Sequence, residues 1–109
     1  MSQASDSVLG ILETHVSRQH GATTLTLAGE LDLAAVEGVR ASLTEAYSEG
    51  PSRVVIDLRE LTFIDSTGIS FLLSAVKEDE EGRLSFIGCD APAVLRVFAV
   101  TGVADLFGG

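Results

Sequence analysis

The segment Phe63-Ile64-Asp65-Ser66-Thr67-Gly68-Ile69 marks the point where a buried strand gives way to an amphipathic helix. Before it, the run from Arg53 to Leu58 is short, apolar and β-branched, as in a strand that is covered on both faces. After it, apolar residues recur at helical spacing, namely at Ile69, Leu72, Leu73 and Val76. Ser66 is therefore predicted to lie at or next to a helix N-cap, where backbone amides are free and the helix dipole is positive.

The chain has 109 residues, the size of one compact domain, and its composition is typical of a folded protein. Seven basic residues against sixteen acidic ones give a net charge of −9. Nucleic acid and anionic lipid repel such a chain, so we expect no nucleic-acid binding and no direct membrane binding. A charged partner should instead present arginines and lysines.

The single cysteine, Cys89, cannot form an internal disulfide, which fits a reducing cytoplasm. We interpret it as a small buried residue at a strand end rather than as a reactive thiol. No apolar run approaches the ~20 residues that span a bilayer. The apolar cluster from Val8 to Leu12 lacks the basic residues of a signal peptide. We therefore expect a cytoplasmic protein.

Two β segments come first, from Val8 to Val16 and from Thr23 to Ala28, and a hairpin turn is predicted at Arg18-Gln19-His20-Gly21. A helix follows, with Asp32 as its N-cap and Gly50-Pro51 at its end. The predicted buried face of this helix consists of Leu33, Val36, Val39 or Arg40, Leu43 and Tyr47.

The second helix is predicted to stop near Glu81-Gly82, and Leu84 to Ile87 form the next strand. A third helix starts at Asp90-Ala91-Pro92 and closes at Thr101-Gly102. Strands joined by helical crossovers run parallel. We therefore predict an α/β fold: a mainly parallel sheet of four to five strands with an antiparallel N-terminal edge strand and helices packed against it. It forms one domain with a core from about residue 8 to residue 107.

Two strand-to-helix loops should meet at one edge of this sheet, where α/β proteins usually place their sites. One is Gly29-Glu30-Leu31-Asp32, and the other contains Ser66. His15 and His20 lie in the first hairpin, so Ser66 has no obvious base, and no residues have metal-ligand spacing. We therefore predict a phosphate acceptor in a protein that is not an enzyme and that uses no metal and no cofactor.

A phosphate on Ser66 would add about −1.5 to −2 charges beside Asp65 and close to Asp32 and Glu30. The helix dipole and its amide donors are expected to offset part of this charge within the domain. A partner docked over Ser66 would meet added bulk and repulsion from its own acids. The residues therefore suggest a switch that phosphate turns off.

Three segments in order resemble the signature of the STAS domain, and above all that of bacterial anti-sigma factor antagonists: Gly29-Glu30-Leu31-Asp32, Val54-Val55-Ile56-Asp57-Leu58 and Phe63-Ile64-Asp65-Ser66-Thr67-Gly68. The segment from Arg96 to Phe107 is also similar. The resemblance implies that the unmodified protein binds an anti-sigma factor that is also a serine kinase, which frees a sigma factor for transcription. It further implies that the kinase uses ATP to phosphorylate Ser66, which ends binding, and that a metal-dependent serine phosphatase resets the protein.

The resemblance also implies a partner surface around Ser66. Its expected contact residues are Glu30, Asp32, Asp65, Ser66, Thr67, Gly68 and Ile69. Members of the family usually continue past the region of Leu106-Phe107 through a further strand and helix, whereas this chain stops at Gly109. An uncovered sheet edge could promote self-association, so we expect a monomer or a weak dimer.

Alternatives remain for individual residues. Ser66 could be only an N-cap, and Ser66→Ala would then lower stability by about 1 kcal/mol without any kinase. Thr67 could be a second phosphate acceptor, although its place inside the helix makes it secondary. Asp57 could accept phosphate, but an outward-facing or helix-capping role is favoured. Phe71 is favoured as a core residue over a docking residue.

Two other functions are also compatible with these residues. One is a soluble STAS accessory subunit of a membrane lipid or anion transporter, which would dock on an ATPase or a permease. The other is a small enzyme or nucleotide-binding protein, which only the fold supports.

Overall fold

The computed structural model describes residues 12–88, which form a four-stranded sheet and two helices. The elements in chain order are β1 (Leu12–Gln19), β2 (Ala22–Leu31), α1 (Leu33–Tyr47), β3 (Arg53–Ile64), α2 (Ser66–Glu78) and β4 (Leu84–Ile87). The strands lie in the order β1-β2-β3-β4, with β1 antiparallel to β2 and the other two pairs parallel. The predicted α/β fold and its antiparallel edge strand are confirmed. Cys89, the third helix and the start of the first predicted strand lie outside the described residues.

A two-residue turn, His20-Gly21, joins β1 to β2. Both residues have positive φ angles, 54° and 80°, as a type I′ turn requires. This turn matches the twist of the strands, and the pairing of β1 with β2 runs without a break from Leu12↔Gly29 to Gln19↔Ala22. The hairpin prediction is confirmed, and the turn is shorter than predicted.

The third strand continues well past Leu58, where the prediction ended, and reaches Ile64. The exposed pair Arg59-Glu60 interrupts the apolar pattern, so the sequence of the second half of β3 does not indicate a buried strand. Its pairing with β2 nevertheless persists through two register shifts within residues 26–30. As a result the last residues of the two strands, Leu31 and Ile64, pair at the same edge of the sheet.

The hydrophobic core lies between the sheet and the two helices. Its fully buried aliphatic side chains include Leu25, Leu27, Leu31, Val39, Val54, Ile56, Leu58 and Leu72. Phe71 is 5% exposed, which confirms it as a core residue.

The buried face of α1 is rotated from the predicted one. It consists of Val36, Val39, Leu43 and Ala46. Leu33, placed on this face by the prediction, is instead 71% exposed, and Tyr47 is only half-buried. The small Ala46 is the buried residue in the last turn because it lies on the same side of the helix as Val39 and Leu43.

The helices end slightly earlier than predicted. In α2 the last residue is Glu78, because Asp79 caps the end and its carboxylate accepts hydrogen bonds from the backbone N–H groups of residues 83 and 84, both at 2.9 Å. In α1 the cap is Ser48, and the left-handed Gly50 lies two residues beyond it at φ 65°.

Asp57 is neither outward-facing nor a helix cap, and that prediction is wrong. It is buried in β3, and its carboxylate accepts hydrogen bonds from Arg59 Nε at 3.0 Å, Arg59 Nη2 at 2.9 Å and the Arg59 backbone N–H at 3.0 Å. The Arg59 guanidinium holds the pKa of Asp57 below its ordinary value, against the effect of burial. The bidentate ion pair with Arg59 compensates for the desolvation of the buried Asp57 carboxylate.

Gly38 offers a test of the helix packing. It is exposed in the middle of α1, and nothing lies within 4 Å of the Cβ that alanine would add. Glycine loses more backbone entropy than alanine in a helix, so Gly38→Ala should raise the free energy of unfolding by about 0.5–1 kcal/mol. Urea denaturation measures this change.

Gly68→Ala is the matched control, since Gly68 is buried at the start of α2. Its added Cβ would lie 2.8 Å from Leu31 Cγ and 2.9 Å from the Leu31 carbonyl oxygen. Overpacking of this kind should lower the free energy of unfolding by about 1–3 kcal/mol. A gain in stability from both substitutions would contradict this description of the packing.

Candidate functional site

Two strand-to-helix loops adjoin at the carboxyl edge of β2 and β3. Leu31 pairs with Ile64, and the backbone N–H of Asp65 donates to the carbonyl oxygen of Leu31 at 3.1 Å. The helices α1 and α2 begin immediately beyond, at Leu33 and Ser66. The N-termini of both helices therefore lie at one edge of the sheet, as the parallel strands led us to expect.

Asp65 is the N-cap of α2. Its backbone is extended, and its Oδ1 atom accepts hydrogen bonds from the backbone N–H of Gly68 at 3.0 Å and from Thr67 Oγ1 at 2.5 Å. Ser66 is the first residue of the helix itself. It is therefore next to the N-cap, and the alternative in which Ser66 caps the helix is wrong, since Ser66 already belongs to α2. Ser66→Ala is therefore not expected to lower the stability of the protein through the loss of a helix cap.

Neighbouring donors act on the pKa of the Asp65 carboxylate. Burial raises the pKa of Asp65, but hydrogen bonds from the Thr67 hydroxyl and from the backbone N–H groups of Gly68, Thr67 and Leu33 outweigh burial and hold this pKa below its ordinary value. Leu33 is the first residue of α1. The ionised Asp65 carboxylate therefore lies close to the N-termini of both helices, and its backbone N–H bond to Leu31 joins the two loops.

Asp65 occupies one of the backbone amides at the start of α2 that a phosphate could use. Its side chain accepts from the N–H of Gly68 at 3.0 Å, while the Ile69 N–H makes the ordinary helical bond to the Asp65 carbonyl oxygen at 3.0 Å. The expectation that amides at this helix end would offset part of the charge of a phosphate on Ser66 stays a prediction. Such a phosphate would stand at the surface beside an ionised carboxylate.

The two neighbouring hydroxyls of α2 differ in their surroundings. Ser66 is exposed, and within residues 12–88 its hydroxyl makes no hydrogen bond. Thr67 is half-buried, and its hydroxyl donates to Asp65. Ser66 therefore presents the freer hydroxyl.

The predicted contact residues divide into surface and core. Asp32 is half-buried and is confirmed as the N-cap of α1, because its Oδ1 atom accepts from the Ala35 N–H at 3.2 Å. Glu30 is also half-buried. Gly68 is buried and Ile69 is only 4% exposed, so both lie in the core of the domain, and the expected partner contact of these two stays a prediction.

Two exposed apolar side chains were not among the predicted contact residues. Leu33 is 71% exposed, and Phe63, which pairs with Glu30 near the end of β3, is 47% exposed. Phe63 could have been found from the period-two alternation with the buried Ile64. We define the Ser66 surface as Glu30, Asp32, Leu33, Phe63, Asp65, Ser66 and Thr67.

Other features of residues 12–88 contribute little to this surface. His20 lies in the turn at the opposite end of β2. No group of three or more metal-ligating side chains is found in this part of the chain. No helix in the same range is long and apolar enough to cross a membrane.

A groove of about 360 Å³ separates the C-terminal halves of α1 and α2. Its two guanidinium groups already stack on aromatic rings, Arg40 over Phe71 at 5.3 Å and Arg83 over Tyr47 at 5.0 Å. None of the residues of the Ser66 surface lines it.

Comparison with known proteins identifies the family. The family model described as "Mlab, STAS domain" matches residues 14–108. The chain belongs to the STAS domain family. Similar STAS proteins include the anti-sigma F factor antagonist of Lysinibacillus sphaericus, 34% identical over 82 residues that cover 72% of this chain and 69% of that protein. The anti-sigma-B factor antagonist of Staphylococcus aureus is 28% identical over 80 residues, covering 72% and 73%.

Solved structures of STAS proteins share the fold. The anti-sigma factor antagonist SpoIIAA in its unphosphorylated form has a TM-score of 0.68 at 28% identity, covering 85% of this chain and 84% of that one. The Bacillus cell fate determinant SpoIIAA in the phosphorylated form has a TM-score of 0.62 at 26% identity, covering 85% and 86%. An anti-sigma factor antagonist from Mycobacterium paratuberculosis, with a TM-score of 0.74 at 22% identity and coverage of 89% and 83%, supports the fold. The resemblance to the STAS family is thereby confirmed.

The lowered pKa of Asp65 predicts a pH dependence. A depressed carboxyl pKa stabilises the folded state above the ordinary value of 3.8, and this contribution is lost as the pH falls through the folded-state pKa. Asp65→Asn keeps a capping oxygen but has no charge, so at pH 7 it should be less stable by about 0.5–1 kcal/mol. The difference should shrink as the pH falls below 3.8, as measured by denaturation at a series of pH values.

Glu37→Gln is the control for this series. Glu37 is an exposed acid on α1 whose carboxylate lies 3.8 Å from Arg40 Nε, so its loss should change stability little at any pH. A constant gap between the wild type and Asp65→Asn through the acid range would contradict the role assigned to the Asp65 charge.

Proposed function

We propose that this STAS protein is an anti-sigma factor antagonist that phosphorylation of Ser66 switches off. In its unphosphorylated form it binds an anti-sigma factor that is also a serine kinase, and this binding frees the sigma factor. The observation that carries the proposal is the exposed Ser66 hydroxyl at the start of α2, without a hydrogen bond within residues 12–88. The names of the similar proteins support it, as does the existence of SpoIIAA in unphosphorylated and phosphorylated forms.

The Ser66 surface has the composition of a docking site. Leu33 and Phe63 supply exposed apolar area, which adds about 25 cal/mol for each Å² that a partner removes from water. Glu30, Asp32 and Asp65 add acidic groups around this area. A partner with complementary apolar groups and a rim of arginines or lysines would fit this arrangement.

The position of Asp65 explains how one phosphate would end binding. The Gly68 N–H at the start of α2 already donates to Asp65, whose pKa is lowered, so a phosphate on Ser66 would lie beside an ionised carboxylate. The phosphate would add bulk inside the docking contact, and the partner would have to desolvate this dianion beside a carboxylate. Each 1.4 kcal/mol of lost binding energy weakens affinity about tenfold, so a cost of several kcal/mol suffices for a switch.

The cycle that we propose involves other proteins of the cytoplasm. The kinase supplies the phosphate from ATP, and a metal-dependent serine phosphatase removes it. The antagonist itself acts as a regulator without catalysing a reaction. If it were instead an accessory subunit of a transporter, capture from a cell lysate would return an ABC-type ATPase rather than an ATP-binding serine kinase.

Phosphorylation tests the proposal directly. Incubation with ATP and the candidate anti-sigma kinases of the source organism should add one phosphate, located on Ser66 by mass spectrometry. Ser66→Ala should accept none. Ser70→Ala is the matched control, since Ser70 is an exposed serine one turn further along α2, and it should be phosphorylated like the wild type. Failure of every kinase to modify the wild type would remove the proposed switch.

The apolar part of the Ser66 surface can be tested by binding. Leu33→Ser should weaken the affinity of the unphosphorylated protein for its kinase by about tenfold or more, because an exposed apolar contact is lost. Its stability should change little, since Leu33 is 71% exposed. Isothermal titration calorimetry measures the affinity, and Ser66→Asp should also lose binding.

Ile87→Ser is the control for this experiment. Ile87 is likewise an exposed apolar residue, at 39%, but it lies on β4 and pairs with Asp57 rather than with the end of β3. It should bind like the wild type. An equal loss of affinity in both variants would place the docking site elsewhere.

A further inference from the structure

Two adjacent residues at the start of α2 carry a hydroxyl group, which is the group that a serine/threonine kinase phosphorylates. Ser66 and Thr67 carry the same functional group, but only the Thr67 hydroxyl is engaged, at 2.5 Å from Asp65 Oδ1. Thr67 is also half-buried, whereas Ser66 is exposed. The structure therefore distinguishes two acceptors that the sequence leaves side by side.

We propose that Asp65 selects the acceptor, because it holds the Thr67 hydroxyl against the protein and leaves the Ser66 hydroxyl to be phosphorylated. This inference rests on the proposed function. In the transfer, the Ser66 oxygen forms a bond to the γ-phosphorus of ATP while the bond from that phosphorus to ADP breaks. ADP leaves, and the serine hydroxyl proton passes to a base of the kinase. Asp65 acts here as a positioning residue.

The hydrogen bond does not activate Thr67 as a nucleophile. Asp65 has a lowered pKa and is therefore a weak base, so its carboxylate orients the threonine proton and does not remove it. The same carboxylate is committed to the Gly68 amide, and moving it would uncap α2.

The product on Thr67 would also be unfavourable. A phosphate there would place a dianion at the position where the hydroxyl now contacts an ionised carboxylate. A phosphate on Ser66 can extend into solvent instead, since that residue is exposed. Charge repulsion therefore favours Ser66 over Thr67.

The packing of α2 holds the backbone of its first turn in place. A Cβ at Gly68 would lie 2.8 Å from Leu31 Cγ and 3.0 Å from Ile64 Cγ1, so the helix start is pressed against the ends of β2 and β3. Rotation of the first turn would drive backbone into these side chains. The Thr67 hydroxyl can therefore leave the protein surface only by rotation of its own side chain, which breaks its hydrogen bond to Asp65.

Acceptor choice is tested in a background that lacks the preferred serine. With the kinase and ATP that phosphorylate the wild type, Ser66→Ala alone should remain unmodified. The double variant Ser66→Ala/Asp65→Gly should take phosphate on Thr67, at a rate at least about tenfold above that of Ser66→Ala, because loss of a hydrogen bond to a charged group frees the hydroxyl. Glycine is chosen because it is tolerated at an N-cap, and circular dichroism checks the fold.

A conservative variant separates selection from mere structural support. Ser66→Ala/Asp65→Asn keeps an oxygen that can accept the Thr67 hydroxyl, so it should remain unmodified like Ser66→Ala. A folded Ser66→Ala/Asp65→Gly protein without phosphate on Thr67, or rapid modification of Thr67 in Ser66→Ala, would overturn the inference. If the kinases do not modify the wild type at all, the proposed function itself fails, and the inference fails with it.

A measurement without a kinase tests the hydrogen bond by itself. In NMR spectra the Thr67 hydroxyl proton should exchange slowly with water in the wild type and in Asp65→Asn, and rapidly in Asp65→Gly. Exchange at the solvent rate in the wild type would overturn the inference even if Ser66 is phosphorylated. If Asp65→Gly does not fold, the exchange rate of the Thr67 hydroxyl proton in the wild type still tests the hydrogen bond between Thr67 and Asp65.

Discussion

Asp65 links the start of α2 to the end of β2. Its carboxylate accepts hydrogen bonds from Thr67 and Gly68 in the first turn of α2, and its backbone N–H donates to the Leu31 carbonyl oxygen, so two loops from distant parts of the chain meet at one residue. A half-buried carboxylate without such donors would be unfavourable. The donors of the first turn of α2 hold the pKa of Asp65 below its ordinary value, and the site depends on this charge.

The sheet brings these loops together. Two register shifts in the pairing of β2 with β3 carry both strands to a common end at Leu31 and Ile64. The absence of a side chain on Gly68 then lets α2 start directly against these two residues. The pairing of β2 with β3, the close packing at Gly68 and the hydrogen bonds of Asp65 therefore all restrict the position of the first turn of α2.

This arrangement differs from a phosphate-binding helix N-terminus. There, free amides and the helix dipole attract an anion from solution. Here one of those amides, the Gly68 N–H, already donates to the protein's own Asp65 carboxylate, so a phosphate on the exposed Ser66 would lie beside a negative charge. In the switch that we propose, phosphate would act through what can dock on this surface.

Local signals in the sequence determined much of this protein: the hairpin at His20-Gly21, the cap at Asp32, the short strand β4 and the order of elements. Each depends on a few neighbouring residues, as turn and cap chemistry does. Only the tertiary structure decided the length of β3, the exposure of Leu33 and the division of the Ser66 segment into a cap, a free hydroxyl and a bound one. These depend on pairing with β2 and on how each helix is rotated against the sheet, which are contacts between residues far apart in the chain.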